Sequence, residues 1–221
     1  MPINIAIDGT AGSGKGTLAK QLAKKLGFGY LDTGAIYRSV AYYMIETGVD
    51  LSNGENIAKA VKKINFKVVF ETDENGNKVQ KNILDGTDLG EKIRTEEISL
   101  ASSIVSQVKE VREFATKIQH EIASSFDVVV EGRDIGTVVL PNANYKFFLT
   151  ASPQVRARRR LKQLNLPEEN FESILEEIVE RDRRDMTRAL SPLKAAEDAV
   201  HIDNSNQLPE ETLKEMLSHI K

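Results

Sequence analysis

The stretch Gly9-Thr10-Ala11-Gly12-Ser13-Gly14-Lys15-Gly16-Thr17 follows the short apolar run Ile3-Asn4-Ile5-Ala6-Ile7-Asp8. It precedes Leu18, Ala19, Leu22, Ala23 and Leu26, which recur at helical spacing. A strand, a glycine-rich turn and a helix in that order are the context a phosphate-binding P-loop requires. Its glycines let consecutive backbone N–H groups turn inward around a phosphate with no side chain in the way. The helix N-terminus adds partial positive charge at the same point, and Lys15 can reach the β- and γ-phosphates of ATP. Where Ser or Thr usually follows the lysine, this chain has Gly16, and Thr17 comes one place later. No direct protein ligand to a metal is therefore assigned. Thr17 is expected to approach phosphate or a magnesium-bound water. The loop specifies nucleotide binding and leaves kinase, hydrolase, switch and motor open.

Outward from the loop, strand-like and helix-like segments alternate. Helices are expected over Ala35 to about Glu46, Lys109–Ser124, Pro153 to about Leu164, Phe171 to about Thr187, and after Pro209. Strands are expected at Asp127–Glu131, Tyr145–Leu149 and Ala199–Asp203. This alternation implies an α/β fold, a parallel sheet covered by helices on both faces. Residues 66–93 break the pattern. Phe66–Phe70 and Lys78–Leu84 flank Asp73-Glu74-Asn75-Gly76-Asn77, a hairpin signal that reads as a small β-rich insertion.

With 221 residues, 40% hydrophobic and 29% charged, the chain suffices for one sizeable core, read as a single domain over 1–221. The formal net charge of −3 argues against nucleic acid or an anionic membrane as partner. There is no cysteine, which excludes disulfides, thiolate zinc sites and a thiol nucleophile. No apolar run approaches the roughly 20 residues of a membrane span. Met1 to Asp8 leads directly into a strand, so no signal peptide is expected. A cytoplasmic monomer is the expected form.

The arginines narrow the chemistry. Arg38 follows the second strand, and Arg133 and Asp134 follow Asp127–Glu131, so strand ends beside the P-loop carry cations. On the helix from Phe171, the positions Ile174, Ile178, Arg181, Asp185 and Arg188 share one stripe that begins apolar and turns charged, as expected beside a polar cleft. Arg156, Arg158, Arg159 and Arg160 read as a solvated face and receive no individual role, and nor does Arg184. Phosphoryl transfer onto a phosphate gathers several negative charges, which guanidinium forks hold bidentately. His120, His201 and His219 read as bystanders.

Six motifs together resemble the bacterial cytidylate kinase family: GTAGSGKGT (9–17), LDTGAIYR (31–38), EKIRTEEIS (91–99), VREF (111–114), EGRDIGTVV (131–139) and RDRRDMTRALSPL (181–193). The resemblance runs nearly end to end. It implies a P-loop nucleoside monophosphate kinase fold and transfer from ATP, with Mg2+, to CMP and usually dCMP. It also implies that 66–93 belongs to the monophosphate-binding region and that the arginine-rich helices of about 153–190 form a lid that closes over both substrates.

Carried over by resemblance, Gly9 to Thr17 would bind ATP, with Lys15, Arg133 and Arg181 as the catalytic cations. Arg38, Arg133 and Arg181 would hold the CMP phosphate; Ser103, Arg112 and Asp134 would read cytosine; Asp185 and Arg188 would face the ribose. Thr33 stands where the family often has serine. Two alternatives remain open: a P-loop kinase for UMP or a small metabolite such as shikimate, and a non-catalytic ATP-binding switch.

Overall fold

A computed structural model of the chain describes residues 1–74 and 76–221. In chain order its elements are β1 (Asn4–Gly9), α1 (Lys15–Leu26), β2 (Gly29–Asp32), α2 (Thr33–Glu46), α3 (Gly54–Val61), β3 (Phe66–Thr72), β4 (Lys78–Leu84) and β5 (Thr87–Asp88). After a 3-10 turn at Gly90–Arg94 come α4 (Glu96–Val105), α5 (Lys109–Ser125) and β6 (Val128–Glu131). A π-helical turn at Ile135–Val139 follows, then β7 (Tyr145–Thr150), α6 (Pro153–Leu164), α7 (Phe171–Thr187), β8 (Val200–Asp203) and α8 (Pro209–Ser218).

The chain forms two compact units: Met1–Pro2 with Gly27–Val128, and Ile3–Leu26 with Val129–Lys221. In the second unit, β6, β1, β7 and β8 stand in that order. β1 and β7 run parallel, as do β7 and β8. β1 and β7 are buried on both sides, with Ile5, Ile7, Phe147 and Leu149 almost wholly enclosed, whereas the edge strand β8 leaves His201 and Asp203 exposed. Helices flank this sheet, as the alternating sequence pattern predicts. Ala157 and Leu161 of α6 pack against Ile174 and Ile178 of α7 in a separate apolar cluster.

The first unit has its own core, built from Val40, Ala41 and Met44 of α2, Ile57 and Val61 of α3, and Ile98, Ala101 and Val105 of α4. Its β3–β4 hairpin is antiparallel in register from Phe66–Leu84 to Thr72–Lys78, with β5 added along β4. The insertion read from residues 66–93 is thus a small three-stranded sheet; Asn75 of the expected turn lies outside the described residues.

Local chemistry explains where the helices start. Asp32 accepts from the Ala35 N–H at 2.9 Å, so α2 begins at Thr33, two residues before the expected Ala35. Asn53 caps α3 and Thr95 caps α4, two helices that hydrophobic spacing alone does not mark. Ser152 caps α6 with Pro153 in its first turn, and Asn165, in the left-handed region, ends it. Among the described residues, no helix is long and apolar enough to cross a membrane.

Candidate active site

In the second unit, β1 ends at Gly9 opposite Leu149 of β7. Gly9 has φ 146°, and a Cβ there would lie 1.9 Å from the Leu149 carbonyl oxygen, so only glycine lets the strand break into a loop here. The loop turns through Gly12 and Gly14, both at positive φ, and enters α1 at Lys15. Lys15 is buried, and its Nζ folds back to donate to the Thr10 carbonyl at 2.6 Å and to Ser13 Oγ at 3.4 Å. Gly16 and Thr17 lie in the first turn of α1, with Thr17 exposed.

Electrostatics mark this loop as a seat for anions. Burial, together with Arg133 and Arg181, pushes the Lys15 ammonium down to about 7, against the opposing pull of Glu131 and Asp8. Lys15 at the end of the loop therefore feels the charges of two arginines. Asp8 is buried and accepts from the Ile135 N–H at 2.8 Å and the Gly136 N–H at 2.7 Å. Burial pushes its carboxyl up to about 6, although both N–H bonds pull it the other way. Asp8 thereby anchors the π-helical turn that follows Arg133 and Asp134.

Arg133 Nε donates to Asp185 Oδ2 at 3.0 Å. Burial works against the charge of Arg133, but Asp185 and Glu131 hold its proton more firmly than usual. Burial likewise pushes the Asp185 carboxyl up, yet Arg133, Arg181 and Arg188 outweigh it and keep Asp185 below the ordinary carboxylate range. Arg188 Nη2 meets Asp134 Oδ1 at 3.3 Å, and its Nε donates to the Ser191 carbonyl at 2.6 Å. The predicted residues Arg133, Asp134, Arg181, Asp185 and Arg188 therefore interact as one charged group.

Two details correct the sequence reading. The helical stripe does not extend to Arg188: α7 ends at Thr187, and Arg188 has φ −60° and ψ 141°. It reaches Asp134 because the chain has left the helix. Nor is the arginine run of α6 uniformly a solvated face. Arg156 is buried, with Nη1 bonded to Asp182 Oδ2 at 2.5 Å and to the Ala11 carbonyl at 2.9 Å. Arg159 bonds Asn204 through Oδ1 at 2.9 Å and through its carbonyl at 2.8 Å. Arg158, by contrast, is exposed and pairs with Glu168.

The remaining predicted residues lie in the first unit. Thr33 is buried at the start of α2. Arg38 Nη2 donates to Asp32 Oδ2 at 2.7 Å, while its Nε is buried without a hydrogen-bond partner. Asp32 is itself held by β4: its N–H donates to Gln80 Oε1 at 2.7 Å, and its carbonyl accepts from Gln80 Nε2 at 3.3 Å. Arg112 is buried, 5.6 Å from the ring centre of Tyr37, and donates weakly to the Ser106 carbonyl at 3.4 Å. The Ser106 hydroxyl donates to the Ser103 carbonyl at 3.1 Å, so Ser103 and Arg112 adjoin one turn.

Sequence reasoning passed over Asp8, Asp32, Gln80, Arg156, Asp182 and Asn204. Asp8 had a signal, a carboxylate closing an apolar buried strand. Asp182 had one too, since it stands four residues after Ile178, on the buried face. Gln80, Arg156 and Asn204 had none, because their partners are distant in sequence.

The family model and the related sequences agree on one family. The cytidylate kinase family model matches residues 5–221. A cytidylate kinase from Thermosipho melanesiensis is 48% identical over 223 residues, covering 100% of this chain and 98% of that protein. One from Pelotomaculum thermopropionicum is 47% identical, covering 98% of this chain and 95% of that protein. A solved structure of an uncharacterised protein from Eubacterium ventriosum superposes with a TM-score of 0.50 at 12% identity, covering 99% of this chain and 98% of that one. That likeness concerns the fold alone. By family model and by full-length relatives, this chain belongs to the cytidylate kinase family.

Proposed function

We propose that this protein transfers the γ-phosphoryl group of ATP to CMP and dCMP. The bond between the γ-phosphorus and the β–γ bridging oxygen breaks as an acceptor phosphate oxygen bonds the same phosphorus, giving ADP and CDP or dCDP. The observation that supports the phosphoryl-transfer reading most is the glycine loop between β1 and α1 with Lys15 buried at its end, an ammonium that burial and the charges of Arg133 and Arg181 push down to about 7. Cations that repel one another in a buried setting are stabilised by a polyanion. The acceptor oxygen is already anionic at neutral pH, so no strong general base is required, and catalysis rests on positioning and charge.

The proposed roles follow family membership residue by residue. Gly9 to Thr17 take the ATP phosphates; Arg38, Arg133 and Arg181 take the CMP phosphate; Asp185 and Arg188 take its ribose. Ser103, Arg112 and Asp134 read cytosine, with Thr33 beside them. Cytosine presents an exocyclic amino donor with N3 and O2 acceptors, complementary to a carboxylate and a guanidinium; uracil offers the opposite polarity to both. A kinase for a metabolite without a base would have no use for that pair. Residues 66–93 are proposed to serve monophosphate binding and about 153–190 to form an arginine-rich lid, both within one kinase domain.

Magnesium fits as a companion of ATP. Among the described residues, no three His, Asp or Glu side chains form a group able to hold a metal. The nearby carboxylates are committed, Asp8 to backbone N–H groups, Asp185 to Arg133 and Asp182 to Arg156. Magnesium commonly keeps several waters and takes its remaining ligands from phosphates, so Thr17 is proposed to meet one such water. When bound, the ion neutralises phosphate charge. A cytoplasmic monomer is the proposed working form.

The proposal is tested by phosphorus NMR of ATP, magnesium and CMP with the protein. CDP and ADP should appear together in equal amounts; ADP and inorganic phosphate without CDP would refute it.

A further inference from the structure

The two carbonyls of the phosphate loop that flank Gly12 and Gly14 are each held from outside the loop. The Ala11 carbonyl accepts from Arg156 Nη1 at 2.9 Å, and the Ser13 carbonyl accepts from Asn204 Nδ2 at 2.9 Å. Neither holder is adjustable. Arg156 is buried, tied by Nε to the Ala151 carbonyl at 2.8 Å and by Nη1 to Asp182 at 2.5 Å. Asp182 also accepts from the Ala11 N–H at 3.0 Å, so the buried ion pair grips both polar groups of one loop residue. Asn204 is buried too, and Arg159 fixes its amide by donating to Oδ1 at 2.9 Å, which leaves Nδ2 facing Ser13.

Peptide planarity gives this grip a consequence. In a trans peptide, the carbonyl of one residue and the N–H of the next point in opposite directions. The chain contains no cis peptide bond among the described residues. Holding the Ala11 carbonyl toward α6 turns the Gly12 N–H away from α6. Holding the Ser13 carbonyl toward Asn204 turns the Gly14 N–H away from Asn204. Both glycines sit at positive φ, 74° and 87°, where neighbouring peptides can present their N–H groups to one anion. Gly12 is also pressed against its holder: a Cβ there would lie 3.1 Å from Arg156 Cβ.

We infer that Arg156, with Asp182, and Asn204 are positioning residues that set the donor-phosphate loop, by capturing the Ala11 and Ser13 carbonyls and so aiming the Gly12 and Gly14 N–H groups at phosphate. The loop is pre-set by α6, α7 and the segment after β8, so ATP does not have to order it. Asp182 shares α7 with Arg181 and Asp185, so one helix both fixes the loop and carries cation and carboxylate to Arg133. The inference rests on the reading of this loop as the ATP phosphate site and is independent of which acceptor is used.

The test measures ATP dissociation constants by calorimetry, without CMP, on the parent and two variants. Arg156→Met with Asp182→Leu removes both charges together and strands neither. Asn204→Leu removes only the amide. Each variant is checked by circular dichroism and thermal melting. ATP affinity should fall by about tenfold or more in both variants, while KM for CMP at saturating ATP moves less than about threefold. A purely structural role would lower the melting temperature and leave the ATP affinity of the folded protein unchanged; that result in either variant overturns the inference. If the double variant does not fold, Asn204→Leu decides alone. A parent that binds ATP yet does not phosphorylate CMP would refute the proposed reaction while the ATP comparison still judges the grip.

Discussion

Arg133 and Asp185, 52 residues apart in sequence, are joined by a 3.0 Å hydrogen bond from Nε to Oδ2. The pair aims a guanidinium fork through one nitrogen. Asp185→Asn keeps the shape and an acceptor but removes the charge that holds Arg133. Turnover should fall by about tenfold to a hundredfold, with KM for ATP changed much less, in a coupled ADP-release assay. Equal loss in KM for ATP would remove Asp185 from the acceptor side.

Lys15 is a buried cation pushed down to about 7 by desolvation and by its arginine neighbours. ATP phosphates beside it should raise that pKa, so binding near pH 7.5 should take up protons. Calorimetry in two buffers of different ionisation enthalpy reads this directly. Lys15→Ala should abolish the uptake and cut turnover by about a hundredfold or more while preserving the fold. Proton release on binding would contradict the account.

Asp8 predicts an unusual pH dependence. Its folded-state pKa of about 6 lies above the ordinary 3.8, so the folded protein binds the proton more tightly than the unfolded chain. Its contribution to stability is therefore largest below 3.8 and is lost as pH rises through 6. Relative to Asp8→Asn, the parent should gain up to about 3 kcal/mol between pH 7 and pH 4, seen as a growing difference in thermal midpoint. A difference that stays flat or shrinks on acidification would show that the carboxylate is not desolvated.

Gln80 is the contact between the inserted sheet and the Asp32–Arg38 pair, because it satisfies both backbone groups of Asp32. Gln80→Ala should raise KM for CMP by about threefold to tenfold and leave KM for ATP unaltered in steady-state assays. An unchanged KM for CMP would make the insertion a passive appendage at this point.

The sequence exposed the parts whose cause is local. β1, the loop and α1 were legible because glycines, the lysine and the 3.6-residue spacing lie within 18 residues of one another. The hairpin was legible from its turn residues, and α6 and α7 from their periodicity. α3 and α4 escaped because their starts are set by the Asn53 and Thr95 caps, not by a long apolar stripe. In the site, Lys15, Arg133 and Asp185 were legible as charges at strand ends and on helix faces. Arg156 was not, since a buried ion pair and a surface one are written with the same residues, and only packing separates them. The stripe misled only at Arg188, which stands one residue past the expected and observed helix end at Thr187.

The central claim is transfer from ATP to CMP, and the most direct measurement is kcat/KM for CMP, dCMP, UMP, AMP and GMP under saturating ATP and magnesium. The account predicts that CMP and dCMP exceed every other acceptor by at least about a hundredfold, since a mismatched base leaves buried polar groups unpaired. Preference for UMP, AMP or GMP, or ADP formation at the same rate without any acceptor, would contradict it.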